Sequence, residues 1–305
     1  MVSILEYKER DIANKQLWPF MGTVMIKTLF ASIVLLASLG LSGNALAGTL
    51  LNLNYSDFSS TNGLTLLGTA QQVNGNALQL TTNGVKNSAG GVFFNTPVGV
   101  SRFNAEFTFQ FFNTYGADGM AFVIKNADSW GTGAGGLGEY GGALGYGGGT
   151  NGIQKSVGIE FDSSVNTKDP RYNDIDGNHI GIDTNGSMLS LVQSPVSTTF
   201  NIDKGNGVWH AWVDYDGTVL TVSVDKNSVK PGTAMLSRNM DIQSIVGSSS
   251  GLMGFTAATG SNMQTTQLLS FRESAPNPEP STSVLMSVGA VVAVIAARRK
   301  MLSAC

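Results

Sequence analysis

Seven residues able to ligate a metal ion, Glu160, Asp162, Asn166, Asp169, Asp174, Asp176 and His179, fall within twenty positions of the stretch VGIEFDSSVNTKDPRYNDIDGNHIGID, which runs from Val157 to Asp183. At its head Val157, Ile159 and Phe161 alternate with Gly158, Glu160 and Asp162. That period of two predicts a strand with both carboxylates on one face. Oxygen donors from Asp162, Asn166 and a later Asp suit calcium, whereas a carboxylate pair with one imidazole suits manganese or another first-row divalent ion. Two adjacent ions sharing a carboxylate would account for the density of donors. A solvated loop explains any single Asp equally well. It does not explain a Glu-x-Asp face followed by a His at the head of a second strand.

The elements around this stretch read as all-β. Gly is abundant, at 38 residues, and charged residues make up only 13% of the chain, while β-branched and aromatic runs alternate with Asn, Gly, Ser and Thr clusters. Strands are predicted over 77–82, 91–94, 103–112, 119–124, 157–162, 179–183, 187–192, 209–215, 220–225, 251–257 and 267–271. Asn185-Gly186 and Asp216-Gly217 are predicted as two-residue hairpin turns, and no helix is predicted in this region. Many close-spaced strands without a βα rhythm imply a two-sheet antiparallel sandwich. The Gly-rich stretch from Gly131 to Gly152 is a loop and not a phosphate cradle, because no Lys-Ser or Lys-Thr follows it. Its glycines allow backbone to approach a ligand closely.

Both ends read as processing signals. Lys27 precedes the apolar run from Leu29 to Leu41, and Ala45-Leu46-Ala47 has the small-x-small form of a signal peptidase site, so cleavage is expected after Ala47. The polar stretch ahead of this run is unusual for a signal peptide, which makes Met21 or Met25 an alternative start. At the other end Pro278-Glu279-Pro280 precedes a short apolar helix, expected from about Ser283 to Ala297, and the basic cluster Arg298-Arg299-Lys300. The expected division is an N-terminal extension and signal peptide over 1–47, a sandwich over 48–273 and a sorting segment over 274–305. Between residues 48 and 277 the formal charge is about −6, since seven of the 18 Lys and Arg and four of the 21 Asp and Glu lie in the two ends. That sign argues against nucleic acid or an anionic membrane surface as partner. The only cysteine is Cys305, so the sandwich holds no disulfide and relies on its core and its ions.

Taken in order, NYSDFSSTNGLTLLGTA, FTFQF, ADGMAFVI, GGALGY, IEFDSSVN, NHIGIDTNGS, WHAWVDYDGTVLTVSV and LMGFTAATGSNMQTTQLLSF resemble the motifs of legume-type (L-type) lectins over residues 50 to 273. The resemblance implies a jelly-roll of the concanavalin type. It implies a transition metal, in the family manganese, on Glu160, Asp162, Asp174 and His179, and Ca2+ on Asp162, the Ser164 carbonyl, Asn166 and Asp174. For the shared second Asp, spacing to His179 favours Asp174, whereas Asp169 has the Pro170 that often follows that residue. The sugar would be chelated by Asp118 and Asn166 and approached by the Gly142 amide, with a cis peptide at Ala117-Asp118 and the loop Ser261 to Gln264 closing the site. His210 has no acidic neighbours and is expected to be structural.

One departure stands out. The family places an aromatic platform two positions after the first metal-site Asp, and here that position is Ser164, leaving Tyr140, Tyr146 or Tyr172 as substitutes. The C-terminal segment resembles a PEP-CTERM sorting signal, which implies transient membrane anchoring and an exosortase-type protease. The function implied is a non-catalytic, calcium- and manganese-dependent glycan- or exopolysaccharide-binding protein, exported to the surface of a Gram-negative bacterium. A structural or adhesive matrix protein is the alternative. A glycoside hydrolase comes third, because Val165 and Asn166 stand where the second carboxylate of such an enzyme would be.

Overall fold

The computed structural model describes residues 53–112, 116–196, 201–202 and 207–275. The leader at 27–47, Pro278-Glu279-Pro280, the C-terminal helix and Cys305 lie outside the described residues. In chain order the first strands are β1 (Leu53–Tyr55), β2 (Leu64–Gly68), β3 (Gln71–Val73), β4 (Ala77–Thr81), β5 (Ser88–Phe94) and β6 (Val98–Gly99). Next come β7 (Phe103–Phe112), β8 (Gly119–Lys125), β9 (Ser156–Asp162), β10 (His179–Thr184) and the short edge strand β11 (Val192–Pro195). The last are β12 (Trp209–Tyr215), β13 (Val219–Asp225), β14 (Leu236–Asn239), β15 (Ser250–Thr259) and β16 (Thr265–Ser274).

These strands form two antiparallel sheets. One runs β14-β13-β12-β7-β16-β4-β3 with β1 also on β16, and the other runs β11-β10-β9-β8-β15-β5-β2 with β6 also on β15. Phenylalanines fill the space between the sheets. Phe107 meets Phe109, Phe122, Phe161 and Phe255 at centroid distances of 4.8 to 6.1 Å, the tilted and edge-on arrangements aromatic quadrupoles favour. A second apolar cluster, including Phe93, Val123, Leu137, Leu144 and Tyr146, lies where the Gly-rich loop folds over the outer face of the second sheet. Strands β8 and β9 are therefore buried on both faces along all seven residues each. Polar side chains on their outer face are sealed under a loop rather than left in water.

The structure departs from the predicted elements in three informative places. Asn185 and Gly186 both take positive φ, 54° and 69°, as a tight turn requires, yet the next strand begins only at Val192. Residues 187–191 form a loop instead of a strand, and this carries Ser190 back over β10. At Asp216-Gly217 the turn is longer than two residues, because the Asp216 carboxylate accepts the amides of Thr218 and Val219 and Val219 opens the next strand. A short α-helix among the described residues, α1 (Ile242–Val246), starts at Asp241, whose side chain accepts the Ser244 amide, and stops at Gly247 in the left-handed region. No helix among the described residues is long and apolar enough to cross a membrane.

Candidate metal and sugar site

Strand β9 lies between β8 and β10, and the register sets its two carboxylates opposite chosen partners. Asp162 faces Gly119 and His179, and Glu160 faces Ala121 and Gly181. One ligand atom from each of Glu160, Asp162 and His179 lies within 4.8 Å of the others, and all three residues are buried. Gly181 makes room for this, because a Cβ there would come within 2.1 Å of Glu160 Oε1. His179 Nδ1 stands 2.8 Å from the Asp176 carbonyl, which can only accept, so Nδ1 carries a proton and Nε2 faces inward, 3.4 Å from Glu160 Oε1.

The electrostatics of the cluster are those of a cation site. Burial, followed by the charges of Glu160 and Asp174, pushes the Asp162 carboxyl well above the usual carboxylate range. Burial works against protonation of His179, but the close approach of the Glu160 carboxylate, followed by the charge of Asp174, outweighs it and raises its pKa. Among the described residues neither Asp162 Oδ2 nor His179 Nε2 has a hydrogen-bond partner. Orphaned buried donors and acceptors of this kind are costly unless something coordinates them. Two carboxylates and an imidazole with free lone pairs fit a divalent transition metal.

The loop after β9 supplies the remaining oxygen donors. Ser164 donates its amide to Asp162 Oδ1 at 2.6 Å, which turns the chain back over the strand end, and Asn166 donates its amide to Asp174 Oδ2 at 2.6 Å. Asp174 is buried, and its charge acts on Asp162, Asp118 and His179. Asp169 instead points away, with both carboxylate oxygens held by Arg171. Of the two candidates for the shared ligand, Asp174 is the one beside the cluster. Asp176 accepts the Asn178 amide and is partly exposed.

Two participants escaped the sequence reading. Asp183 is buried on the same face of β10 as His179, and Ser190 donates into the pair, 2.5 Å from Glu160 Oε1 and 2.8 Å from Asp183 Oδ1. Burial, followed by the charge of Glu160, raises the Asp183 carboxyl strongly. The alternation HIGID could have signalled Asp183, four residues along from His179 on one strand face. Nothing short of the unforeseen loop at 187–191 could have placed Ser190.

The three sugar-chelating candidates also converge. Asp118 follows a cis peptide from Ala117, as the resemblance implied. Its carboxylate is buried, Oδ2 lacks a partner among the described residues, and burial raises its pKa to about 6, with the Gly260 amide opposing. Gly142 lies against Asn166, since a Cβ on it would sit 2.7 Å from Asn166 Oδ1. Gly260 bridges the two ends, with its Cβ position 3.0 Å from Asp118 Oδ2 and 3.4 Å from the Gly141 Cα. In the loop 261–264, Gln264 is buried and accepts from Ser163 Oγ at 3.0 Å, so it anchors that loop.

Of the three tyrosines, Tyr146 is fully buried where the Gly-rich loop packs on the sheet and is bonded to Ser156, so it cannot meet a ligand. Tyr172 is half-buried, and Tyr140, two residues before Gly142, is 57% exposed. His210 stacks on Trp212 in the opposite sheet, away from the cluster.

The two-sheet sandwich that carries this cluster has counterparts among known proteins. The chain is 34% identical over 143 residues to the L-type lectin-domain containing receptor kinase VIII.2 of Arabidopsis thaliana, covering 46% of this chain and 19% of that protein. With receptor kinase VIII.1 of the same plant it shares 31% over 220 residues, 67% of this chain and 29% of the relative. The match thus spans less than a third of either relative. Among solved structures, the lectin of Bauhinia forficata in complex with GalNAc superposes with a TM-score of 0.60 at 29% identity, over 75% of this chain and all of that one. Peanut lectin gives 0.62 at 25%, over 74% and 97%. The metal-free form of lectin I-B4 from Griffonia simplicifolia gives 0.60 at 25%, over 74% and 100%. The family model of the legume lectin domain matches residues 50–286, most of the chain, and this protein therefore belongs to the legume lectin domain family.

Proposed function

We propose that this protein is an exported lectin that binds neutral sugar hydroxyls through Asp118, Asn166 and the Gly142 amide, and that it does so only when divalent metal fills the adjoining cluster. The observation that carries this reading is the set of orphaned, buried atoms, Asp162 Oδ2, His179 Nε2 and Asp118 Oδ2, gathered at one end of the second sheet. Glu160, Asp162, Asp174 and His179 would hold a transition metal such as Mn2+. Asp162, the Ser164 carbonyl, Asn166 and Asp174 would hold Ca2+. Bound there, the ions supply positive charge that neutralises the buried carboxylates. The chain's own residues do the recognition. Asp118 accepts from two adjacent hydroxyls, the Asn166 side-chain amide donates to one of them, and Gly142 lets the backbone reach the sugar where a Cβ would strike Asn166. Tyr140 supplies the aromatic surface that Ser164 no longer offers.

Export, sorting by an exosortase-type protease and transient anchoring through the C-terminal segment rest on the leader-like and Pro-Glu-Pro sequences. The deciding experiment is a glycan array probed with the purified chain in Ca2+ and Mn2+ and again in chelator. Signals that vanish with chelator support the reading. Silence in both conditions from a folded protein would transfer it to a structural or adhesive matrix role, which Ser164 favours.

A further inference from the structure

Residues 139–147 of the Gly-rich loop close on themselves. Glu139 donates its amide to the Gly147 carbonyl at 2.8 Å and its carbonyl accepts the Gly145 amide at 2.9 Å, so Glu139 is the neck of a small loop that holds Tyr140 and Gly142. On the metal loop Asp169 lies one turn beyond Asn166, donating its amide to the Asn166 carbonyl at 3.2 Å. Arg171 reaches between the two. Its Nη1 donates to Glu139 Oε2 at 2.8 Å, while Nη2 and Nε donate to Asp169 Oδ2 at 2.8 and 3.1 Å. The Glu139 carboxylate is aimed as well as paired. Its other oxygen accepts the Asn151 side-chain amide at 3.1 Å, and Gly148 leaves the space it crosses, since a Cβ there would lie 2.8 Å from Glu139 Cγ. Of the ion pairs among the described residues, Arg171 to Glu139 is the one that joins the metal loop to the Gly-rich loop.

A planar guanidinium suits this place, because its fork can hold two carboxylates at once where an ammonium is a point charge. Both partners stay ionised through the neutral range. Hydrogen bonds from Asn151 and then Arg171 hold the Glu139 carboxyl below its ordinary value, and those from Arg171 do the same for Asp169. Salt is the agent that loosens such a tie, since the Arg171 side chain is 56% exposed and that of Glu139 35%, and exposed pairs are screened. The consequence at the sugar site is geometric. Gly142 packs directly against the Asn166 side chain, so a shift of either loop misplaces the Gly142 amide relative to Asn166. Apparent affinity then falls with the fraction of molecules in which the two are aligned.

We propose that Arg171 is a positioning residue for the sugar site, clasping the Gly-rich loop to the metal loop through Glu139 and Asp169 and so keeping Gly142 against Asn166. The proposal rests on the sugar site proposed above and adds to it a dependence on salt. A neutral sugar has no charge to screen, so with both metals saturating any loss of affinity in salt belongs to the protein. The test is calorimetry on the full chain with methyl α-galactoside and methyl α-mannoside at saturating Ca2+ and Mn2+, in about 0.05 M and about 1 M NaCl. Amide hydrogen exchange over residues 139–147 is measured alongside. Wild-type affinity should fall about fivefold at the higher salt. Arg171→Met and Glu139→Gln should bind at that weaker level in both salts and exchange several-fold faster over 139–147. Arg171→Lys, which keeps the charge without the fork, should recover part of the affinity and of its salt dependence. The gain in melting temperature from added Mn2+ should be equal in all of them, because none of its proposed ligands is changed. Wild-type affinity that salt leaves untouched, or Arg171→Met that binds as the wild type does, overturns the clasp alone. Arg171→Met that weakens binding yet keeps the full salt dependence assigns the side chain to packing and also overturns the clasp. A wild type that binds neither glycoside, nor any glycan on the array, overturns the sugar site and the clasp together.

Discussion

At the scale of single residues, burial decides what each carboxylate can do. Asp118 is held for one purpose, with its outer oxygen unpartnered and its backbone tied to Ala258 and Ser163. Asp118→Asn keeps the shape but loses one acceptor for a hydroxyl pair. Sugar affinity should fall by about 10- to 150-fold, because an unmade bond to a charged group costs roughly 1.5–3 kcal/mol. Melting temperature should not fall, since the substitution removes a buried charge; a loss of stability would mean that Asp118 is structural. Glu273 is the contrasting case, a buried carboxyl far along β16 whose Oε2 has no partner among the described residues and whose pKa burial raises to about 7. Because the folded pKa lies above that of the unfolded chain, the folded state prefers the protonated acid. The penalty is absent below about pH 4.5, grows between there and pH 7, and is constant above. Glu273→Gln is expected to stabilise by about 2 kcal/mol at pH 8 and by nothing at pH 4, read from denaturant midpoints at the two pH values. A gain equal at both would remove the titration argument.

At the scale of elements, strands buried on one apolar face announce themselves and edges do not. The pattern VGIEFD specified β9, its core face and its carboxylate face, because Val157, Ile159 and Phe161 enter the phenylalanine core while Glu160 and Asp162 point outward. The short edge strand β14 escaped, since three of its four residues are exposed and its polarity reads as loop. The Glu160, Asp162 and His179 cluster was legible because residue types and spacing carry it. Ser190 was not, because its place depends on where the chain goes after Asn185-Gly186, and turn chemistry fixes a reversal without fixing the length of loop that follows. Close approach offers a test of how the loops cooperate. Gly142→Ala would drive a methyl into the Asn166 side chain, whereas Gly181→Ala would drive one into the Glu160 carboxylate. The first should abolish sugar binding while the protein still gains stability from added Mn2+, whose proposed ligands do not include Asn166. The second should erase that metal-dependent gain. Identical behaviour of the two variants in a metal titration followed by thermal melting would show that sugar and metal sites are not separable in this way.

At the scale of the whole molecule, the sandwich carries no cysteine within the described residues and folds a dense set of acids into one end. Asp162, Asp183 and Asp174 all have pKa values pushed up by burial first, and each also by the charge of Glu160. Like charges gathered under a loop oppose folding unless protons or cations join them. A metal that binds only the folded state adds RT ln(1 + [L]/Kd), about 4 kcal/mol when present at a thousand times its Kd. For a domain of this size each kcal/mol moves the melting temperature by about 2–4 °C. Chelation at pH 7.5 should therefore lower it by about 8–16 °C. The loss should shrink as the pH falls through the raised carboxyl values, because protons then do part of what the ions did and ligands must be deprotonated to bind metal. Asp162→Ala removes a residue that both proposed ions would share, so its melting temperature should be insensitive to chelator at every pH, near that of the stripped wild type. A variant that still melts 8 °C lower in chelator would place the stabilising ion somewhere other than the β9 and β10 cluster.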